Sequence, residues 1–155
     1  MDVNLINPVL QAFANILPQI GFRQEIEKKG LSLVDSGLTN PGVLLTISIV
    51  GPLKGTVLIG MTLDAARQFA SKMMMGMEVA AFDSLAQSAI SEMGNMVCAT
   101  ACTNFADAGV AGLDISPPTM MIGEGGCVML SVPKVVRVKF AADDIDVDVY
   151  VGLIK

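Results

Sequence analysis

Apolar side chains recur along the chain with a helical period in three stretches. The first begins at Asn7-Pro8, a pair suited to the start of a helix, and ends at 18–21. The second can be capped by Thr62 and runs to about residue 75. The third can be capped by Asp83 or Ser84 and runs to about residue 108. The sequence therefore predicts two helices of ordinary length and a longer third helix.

Runs of alternating or β-branched apolar residues predict strands in much of the remaining chain. The predicted strands are 22–34, 42–50, 56–61, 128–140 and 145–153, and a short segment, 119–122, precedes a Gly-rich turn. Strands and helices are grouped rather than strictly alternating, which is typical of the α+β class. We therefore predict a mostly antiparallel sheet with the long third helix packed across one face.

The last two predicted strands can be placed in register by their charges. A tight turn at 142–143 would put Lys139 opposite Asp146 and Arg137 opposite Asp148, with apolar pairs on the other face. The acidic residues of this hairpin resemble a calcium cluster. Cross-strand pairing with Lys and Arg uses two of them, so we favour the hairpin.

Length and composition exclude several classes of protein. A chain of 155 residues is long enough to bury its own core, and we expect one domain spanning 1–155. It is 52% hydrophobic and 16% charged, against ~45–50% and ~25% in typical domains, which excludes disorder. The net charge of −5 argues against a nucleic-acid partner. The absence of histidine excludes a Ser-His-Asp triad and a histidine metal site.

The high apolar content does not predict a membrane span. The most apolar stretch, 43–50, is shorter than the ~20 residues that a spanning helix needs. No Lys or Arg precedes Arg23, whereas a signal peptide begins with positive charge. We therefore expect a cytoplasmic protein whose surplus apolar surface could serve a subunit interface.

The long third helix has two unlike faces when it is drawn at 100° per residue. Ser88, Glu92 and Asn95 share one side, within about 60° of one another. The opposite side is an apolar stripe that would face the core, formed by Ala86, Ile90, Met93, Val97 and Ala101. Polar residues opposite an apolar stripe also describe an ordinary solvated helix, so the pattern alone assigns no function.

The spacing of the three polar residues is more specific than the pattern. Ser88, three residues, Glu92, two residues and Asn95 are followed by 22 residues and then Pro118. This resembles the signature of the CheC/CheX/FliY chemotaxis phosphatases, and the segment 90–96 is also similar to that family. The resemblance implies a CheC/CheX-like α+β domain that forms a homodimer through its sheet.

The number of motifs indicates a branch of the family. CheC-like members often carry two such helices, one in each pseudo-symmetric half. Aligning the first helix here on Asn15 puts Ala12 at the Glu position and Pro8 at the Ser position, so that helix lacks the motif. One motif in a chain of this length resembles the CheX branch.

The resemblance also implies a substrate and a role for each motif residue. The substrate would be a CheY-like receiver domain phosphorylated on aspartate, which supplies its own Mg²⁺, so the chain needs no cofactor. Asn95 would hold a water in line for attack, and Glu92 would pair with a receiver lysine. Ser88 would pack or hydrogen-bond at the docking edge, and Pro118 would shape the loop beside the helix.

Two other functions stay open at this point. One is a non-catalytic CheC-like binding module for a receiver or a flagellar-switch partner, although Glu92 and Asn95 are both intact. The other is a metal or redox sensor, because Cys98 and Cys102 lie one helical turn apart. With no histidine and no second pair, we interpret these cysteines as small buried hydrophobic residues.

Overall fold

The computed structural model describes residues 3–23 and 26–154. Its helices are α1 (Asn7–Ile16), α2 (Leu63–Met73) and α3 (Ser84–Asp107), with short 3-10 helices at Val3–Leu5 and Leu17–Ile20. Its strands are β1 (Glu27–Thr39), β2 (Val43–Val50), β3 (Lys54–Met61), β4 (Asp114–Ile115), β5 (Thr119–Ile122), β6 (Cys127–Ala142) and β7 (Ile145–Ile154).

All seven of these strands belong to one antiparallel sheet. The order is β1-β6-β7-β3-β2-β4, and β5 also pairs with β2. The three α-helices lie against one face of this sheet, as the shared core residues of the helices and of β2, β3, β6 and β7 show. The predicted α+β fold, with a long helix across a mostly antiparallel sheet, is confirmed.

The first strand begins later and ends later than predicted. It covers Glu27–Thr39 instead of 22–34, and residues 24 and 25 lie outside the described part of the chain. Phe22 does not extend along the sheet, because Gly21 before it has a φ of 119° and turns the chain. The Phe22 ring packs on Phe69 of α2, with 4.5 Å between ring centroids.

The β6–β7 hairpin has a different register from the one predicted. Lys139, rather than Arg137, lies opposite Asp148. The turn consists of Asp143 and Asp144 alone, at φ of 49° and 65°, a conformation that suits a two-residue hairpin turn and that Asp tolerates. Partners shift by two residues, so each side chain keeps its face. Arg137 still reaches Asp148 diagonally, with Nη2 donating to Oδ2 over 2.7 Å.

The acidic turn of this hairpin is tied to helix α2 and to the segment before β1. The Asp143 carboxylate lies 3.0 Å from Lys72 Nζ and accepts a hydrogen bond from the Arg23 N–H. Its charge is therefore balanced within the protein, which agrees with our preference for a hairpin over a calcium cluster.

Packing on the two sides of the sheet is unequal. The helix side carries the main core, and the predicted stripe of α3 is fully buried there. The other side has a smaller cluster, formed by Leu38, Leu44, Leu58, Val132, Val135 and Tyr150. Among the described residues, no helix combines the length and the apolar character that a membrane crossing requires.

Candidate active site

Helix α3 is firmly anchored where it begins. Asp83, one of the two predicted candidates, is its N-cap, and its side chain accepts a hydrogen bond from the Ala86 N–H at 3.0 Å. One turn further, the Gln87 side-chain amide donates to the Phe82 carbonyl at 3.1 Å. These contacts fix the first turns of α3, from which Ser88 projects.

Gly94 sets the height of α3 above the sheet. A Cβ atom at this position would overlap Leu45 Cδ2 of β2 and lie 3.0 Å from Ile47 Cδ1. Both of these side chains are fully buried, so they have little room to move. Glu92 and Asn95 flank Gly94, and the close approach of helix and sheet therefore fixes where both side chains stand.

The four residues singled out by the sequence come together in one open groove. The groove has a volume of about 460 Å³ and runs between α3 and the segment that enters β5. It is lined by Ser84, Gln87, Ser88, Ser91, Glu92, Asn95, Pro118 and Met120. The 22 residues between Asn95 and Pro118 thus lead the chain away from α3 and back to the side of the same helix.

The side chains of the motif are accessible to a ligand or a partner protein. Ser88 and Glu92 are exposed, and Asn95 and Pro118 are half-buried. Within the part of the chain that the structure describes, the side chains of Ser88, Glu92 and Asn95 form no hydrogen bond or ion pair. Their hydroxyl, carboxylate and amide therefore point to a groove in which only water or a partner can satisfy them.

Pro118 lies in a break between two short strands, β4 and β5. β4 and β5 both pair with β2, and Pro117-Pro118 lies between them, where the missing N–H groups interrupt the ladder. Just before this break, Ser116 hydrogen-bonds Ser48 twice, through its backbone N–H and through its hydroxyl, both at 2.9 Å. The loop therefore stays against the sheet and closes one side of the groove.

Comparison with known proteins places this fold and site in a family. Residues 43–141 match the family model described as chemotaxis phosphatase CheX. Over 125 residues the chain is 31% identical to the CheY-P phosphatase CheX of Thermotoga maritima, covering 79% of this chain and 78% of that one. The chain belongs to the CheX chemotaxis phosphatase family.

Solved structures of this family and its relatives share the fold of the whole chain. A CheC-like protein from Shewanella sp. PV-4 has a TM-score of 0.86 at 22% identity and covers both chains fully. CheX from Vibrio vulnificus has a TM-score of 0.83 at 18% identity, with 97% of this chain and 99% of that one covered. CheX of Borrelia burgdorferi, solved as a complex with CheY, BeF3 and Mg²⁺, has a TM-score of 0.78 at 21% identity, with coverage of 97% and 98%.

Sequence reasoning missed part of the groove of this CheX-family chain. Ser84, Gln87 and Ser91 lie beside the motif on the same helix, and the helical spacing that grouped the motif residues could have found them. Met120 could not be found in this way. It reaches the groove only because β5 pairs with β2, a long-range contact that no local pattern indicates.

The two cysteines of α3 differ in burial. Cys98 is fully buried, and burial, with a smaller effect of Cys102, raises the pKa of its thiol to about 12. Burial and the Asp114 carboxylate also raise the pKa of the Cys102 thiol. Because the thiolate is the form that attacks disulfides, the raised pKa of both thiols disfavours a redox function. Cys98 is the small buried residue that the sequence predicted, whereas Cys102 is only half-buried.

Proposed function

We propose that this member of the CheX family hydrolyses the aspartyl phosphate of a CheY-like receiver domain. In this proposal Asn95 orients the attacking water and Glu92 docks the receiver. The observation that carries it is the groove itself, in which Glu92 and Asn95 stand side by side on a rigid helix with no partner in the described chain. Such groups are arranged for an external ligand.

Hydrolysis of an aspartyl phosphate requires of the phosphatase mainly that it position the reacting groups. An acyl phosphate is already labile, and phosphoryl transfer is catalysed mainly by positioning and electrostatic stabilisation. The Borrelia burgdorferi relative was solved with CheY, BeF3 and Mg²⁺, where BeF3 stands in for the phosphoryl group. By analogy we infer that the receiver brings the Mg²⁺ and that this chain supplies no cofactor of its own.

Asn95 has the chemistry of a water-positioning residue. Its amide both donates and accepts, so it can hold a water through one atom and the phosphoryl oxygen through the other. Its half-buried position beside Gly94 limits its freedom, which is what orientation requires. A glutamine has the comparable role in GTPases.

Glu92 is better suited to docking than to proton transfer. Its carboxylate is exposed and forms no ion pair within the described chain, so it can receive a cation from a partner. We infer that this cation is a receiver lysine close to the phosphate. Ser88, one turn earlier and also exposed, would contact the edge of the docked receiver, and Pro118 would shape the facing loop.

The test is phosphate release from a phosphorylated CheY-like receiver, with and without this protein. We expect Glu92→Ala to raise KM roughly tenfold, because it removes a docking charge, and to lower kcat less. Asp107→Asn, at the exposed far end of the same helix, is the matched control and should leave both constants unchanged. A receiver that binds but loses phosphate no faster would instead support a non-catalytic binding module.

We further propose that residues 1–155 form a single domain that assembles as a cytoplasmic homodimer through its sheet. β1 is the terminal strand of the sheet, so one of its edges is unpaired in the described chain. On it Leu31 and Leu33 are 56% and 55% exposed and continue the apolar face of their partners Val138 and Val136. A second copy would cover both the edge and these leucines.

Sedimentation equilibrium tests the dimer directly. We expect twice the chain mass for the wild type and a monomer for Leu31→Lys combined with Leu33→Lys, because two lysines on each strand would repel across the interface. Leu63→Lys, another exposed leucine but on α2, should remain a dimer. A wild-type monomer at concentrations well above those of the activity assay would contradict the proposal.

A further inference from the structure

Asn40 is the one fully buried polar residue in the part of the chain that the structure describes, with 1% of its surface exposed. Its side-chain oxygen accepts from the Gly42 N–H, and its Nδ2 donates to the Met121 carbonyl, both at 2.9 Å. Its backbone N–H donates to the Gly126 carbonyl at 2.6 Å, and its carbonyl accepts from the Gly125 N–H at 3.0 Å. Asn40 therefore joins the turn before β2 to both ends of the β5–β6 connection.

The strand that Asn40 holds is the wall of the groove. β5 has four residues and, among the described strands, pairs with β2 alone. Its Met120 lines the groove together with Pro118, and the next residue, Met121, gives its carbonyl to Asn40. A strand this short, paired on one side, has few bonds of its own to fix its position. The bond from Asn40 therefore adds to the β2 ladder, and to the 2.9 Å bond from the Gly123 N–H to the Gly42 carbonyl, in holding the wall beside α3.

The opposite wall, α3, is fixed by a contact that does not involve Asn40. Leu45 of β2 lies opposite Met120 in the ladder and beneath Gly94 of α3. The helix, with Glu92 and Asn95, is seated on the sheet by that contact, and the hydrogen bonds of Asn40 go to other parts of the chain. Loosening Asn40 would therefore move the β5 wall while leaving the catalytic face of α3 in place.

We propose that Asn40 is a positioning residue for receiver docking: through Met121 it sets the distance between the β5 wall and α3, and so the width of the groove. This inference rests on the proposed phosphatase function, because the groove must receive a receiver for its width to matter. It assigns a role to a residue remote in sequence from the motif and buried away from the groove.

Two substitutions separate the two side-chain bonds of Asn40. Asn40→Ser keeps an oxygen that can accept from the Gly42 N–H but is too short to reach Met121. Asn40→Asp keeps the same acceptor and turns a second oxygen toward the Met121 carbonyl, which repels it. The matched control is Asn104→Ser, because Asn104 Nδ2 also donates to a backbone carbonyl at 2.9 Å, that of Pro8, and ties α1 to α3.

The measurement is the steady-state kinetics of phosphate release from a phosphorylated receiver, at a temperature where each variant is folded by circular dichroism. We expect both Asn40 variants to raise KM roughly fivefold to tenfold with kcat within about twofold, since a wall that is displaced weakens docking alone. Asn104→Ser should change neither constant. A purely structural role would reduce the active fraction, which lowers apparent kcat and leaves KM unchanged.

The outcomes distinguish this inference from the function on which it rests. If wild-type protein releases no phosphate, the proposed function fails and the inference fails with it. If the wild type is active and the folded Asn40 variants keep the wild-type KM, only the inference is overturned. Should Asn40→Asp fail to fold, Asn40→Ser decides, because it retains the turn.

Discussion

Asn95→Ala is expected to lower the rate of phosphate release at least ~100-fold, because orienting the water is the main contribution that the groove can make to catalysis. Alanine keeps the helix, but it leaves no atom that can hold a water in line with the phosphoryl group. The Asn95 side chain forms no hydrogen bond within the described chain, so its removal leaves no buried group without a partner. The decrease should be in kcat, measured in single turnover with excess phosphatase over phosphorylated receiver.

Docking provides the control for this result. Binding of a beryllofluoride-activated receiver, measured by calorimetry, should be within about threefold of wild type for Asn95→Ala, since docking is assigned to Glu92. Ser91→Ala, which removes a neighbouring polar group of the same groove, should keep kcat within about threefold. If Asn95→Ala releases phosphate at the wild-type rate, water positioning by this residue is wrong, whatever the fate of Glu92.

The sequence was informative where short-range interactions decide the structure. Thr62 and Asp83 cap α2 and α3 as predicted, because each side-chain oxygen bonds an N–H three residues away. The motif was found for the same reason: Ser88, Glu92 and Asn95 belong to one helix, whose period fixes their common face. A local rule is sufficient for such residues.

Prediction failed where alternatives of similar energy compete. In the β6–β7 hairpin, shifting the partners by two residues keeps all side chains on their faces, so burial does not choose between the registers. Cross-strand charge pairs contribute only ~0.2–1 kcal/mol each. Arg137 bonds Asp148 diagonally in the observed register in any case. The turn conformation of Asp143 and Asp144 decides, and their positive φ values are not visible in the sequence pattern.

The sequence predicted a short segment at 119–122, the bounds of β5, but its place as a wall of the groove escaped prediction because it depends on pairing across the chain. Met120 lies opposite Leu45, 75 positions earlier by residue number, and Asn40 bonds Met121 over a similar span. The family resemblance contributed Pro118 through its spacing from Asn95, but it contributed nothing about the strand that follows. The residues of the groove that lie on α3 could therefore be predicted from the helix alone, whereas those on the β5 side required knowledge of the sheet topology.

Gly94→Val is expected to destabilise the fold by about 3 kcal/mol, the upper part of the usual range for overpacking a core. Gly94 has the conformation of an ordinary helical residue, so its backbone does not require glycine. Space requires it, because Leu45 and Ile47 occupy the volume that a side chain would need. Urea denaturation followed by circular dichroism measures the change.

Gly94→Ala should destabilise the fold less than Gly94→Val, because alanine gains roughly 0.8–1.0 kcal/mol of helix propensity over glycine. Ala99→Gly, at an exposed position of the same helix, measures that propensity in this protein and allows it to be subtracted. A double-mutant cycle of Gly94→Ala with Leu45→Val should show favourable coupling of about 0.5–3 kcal/mol, since valine lacks the Cδ atom that the new methyl group would meet. Additive effects would mean that the contact beneath Gly94 is not what excludes a side chain.

The same cycle connects packing with activity. Any group at position 94 must lift α3 from β2 or push Leu45 aside, and lifting the helix moves Glu92 and Asn95 together relative to the β5 wall. A displacement of 1 Å can cost about 100-fold in rate. We therefore expect Gly94→Ala to lose far more activity than its stability change explains, and Leu45→Val to restore part of that activity. If activity follows only the folded fraction, the seating of α3 on the sheet does not position the groove.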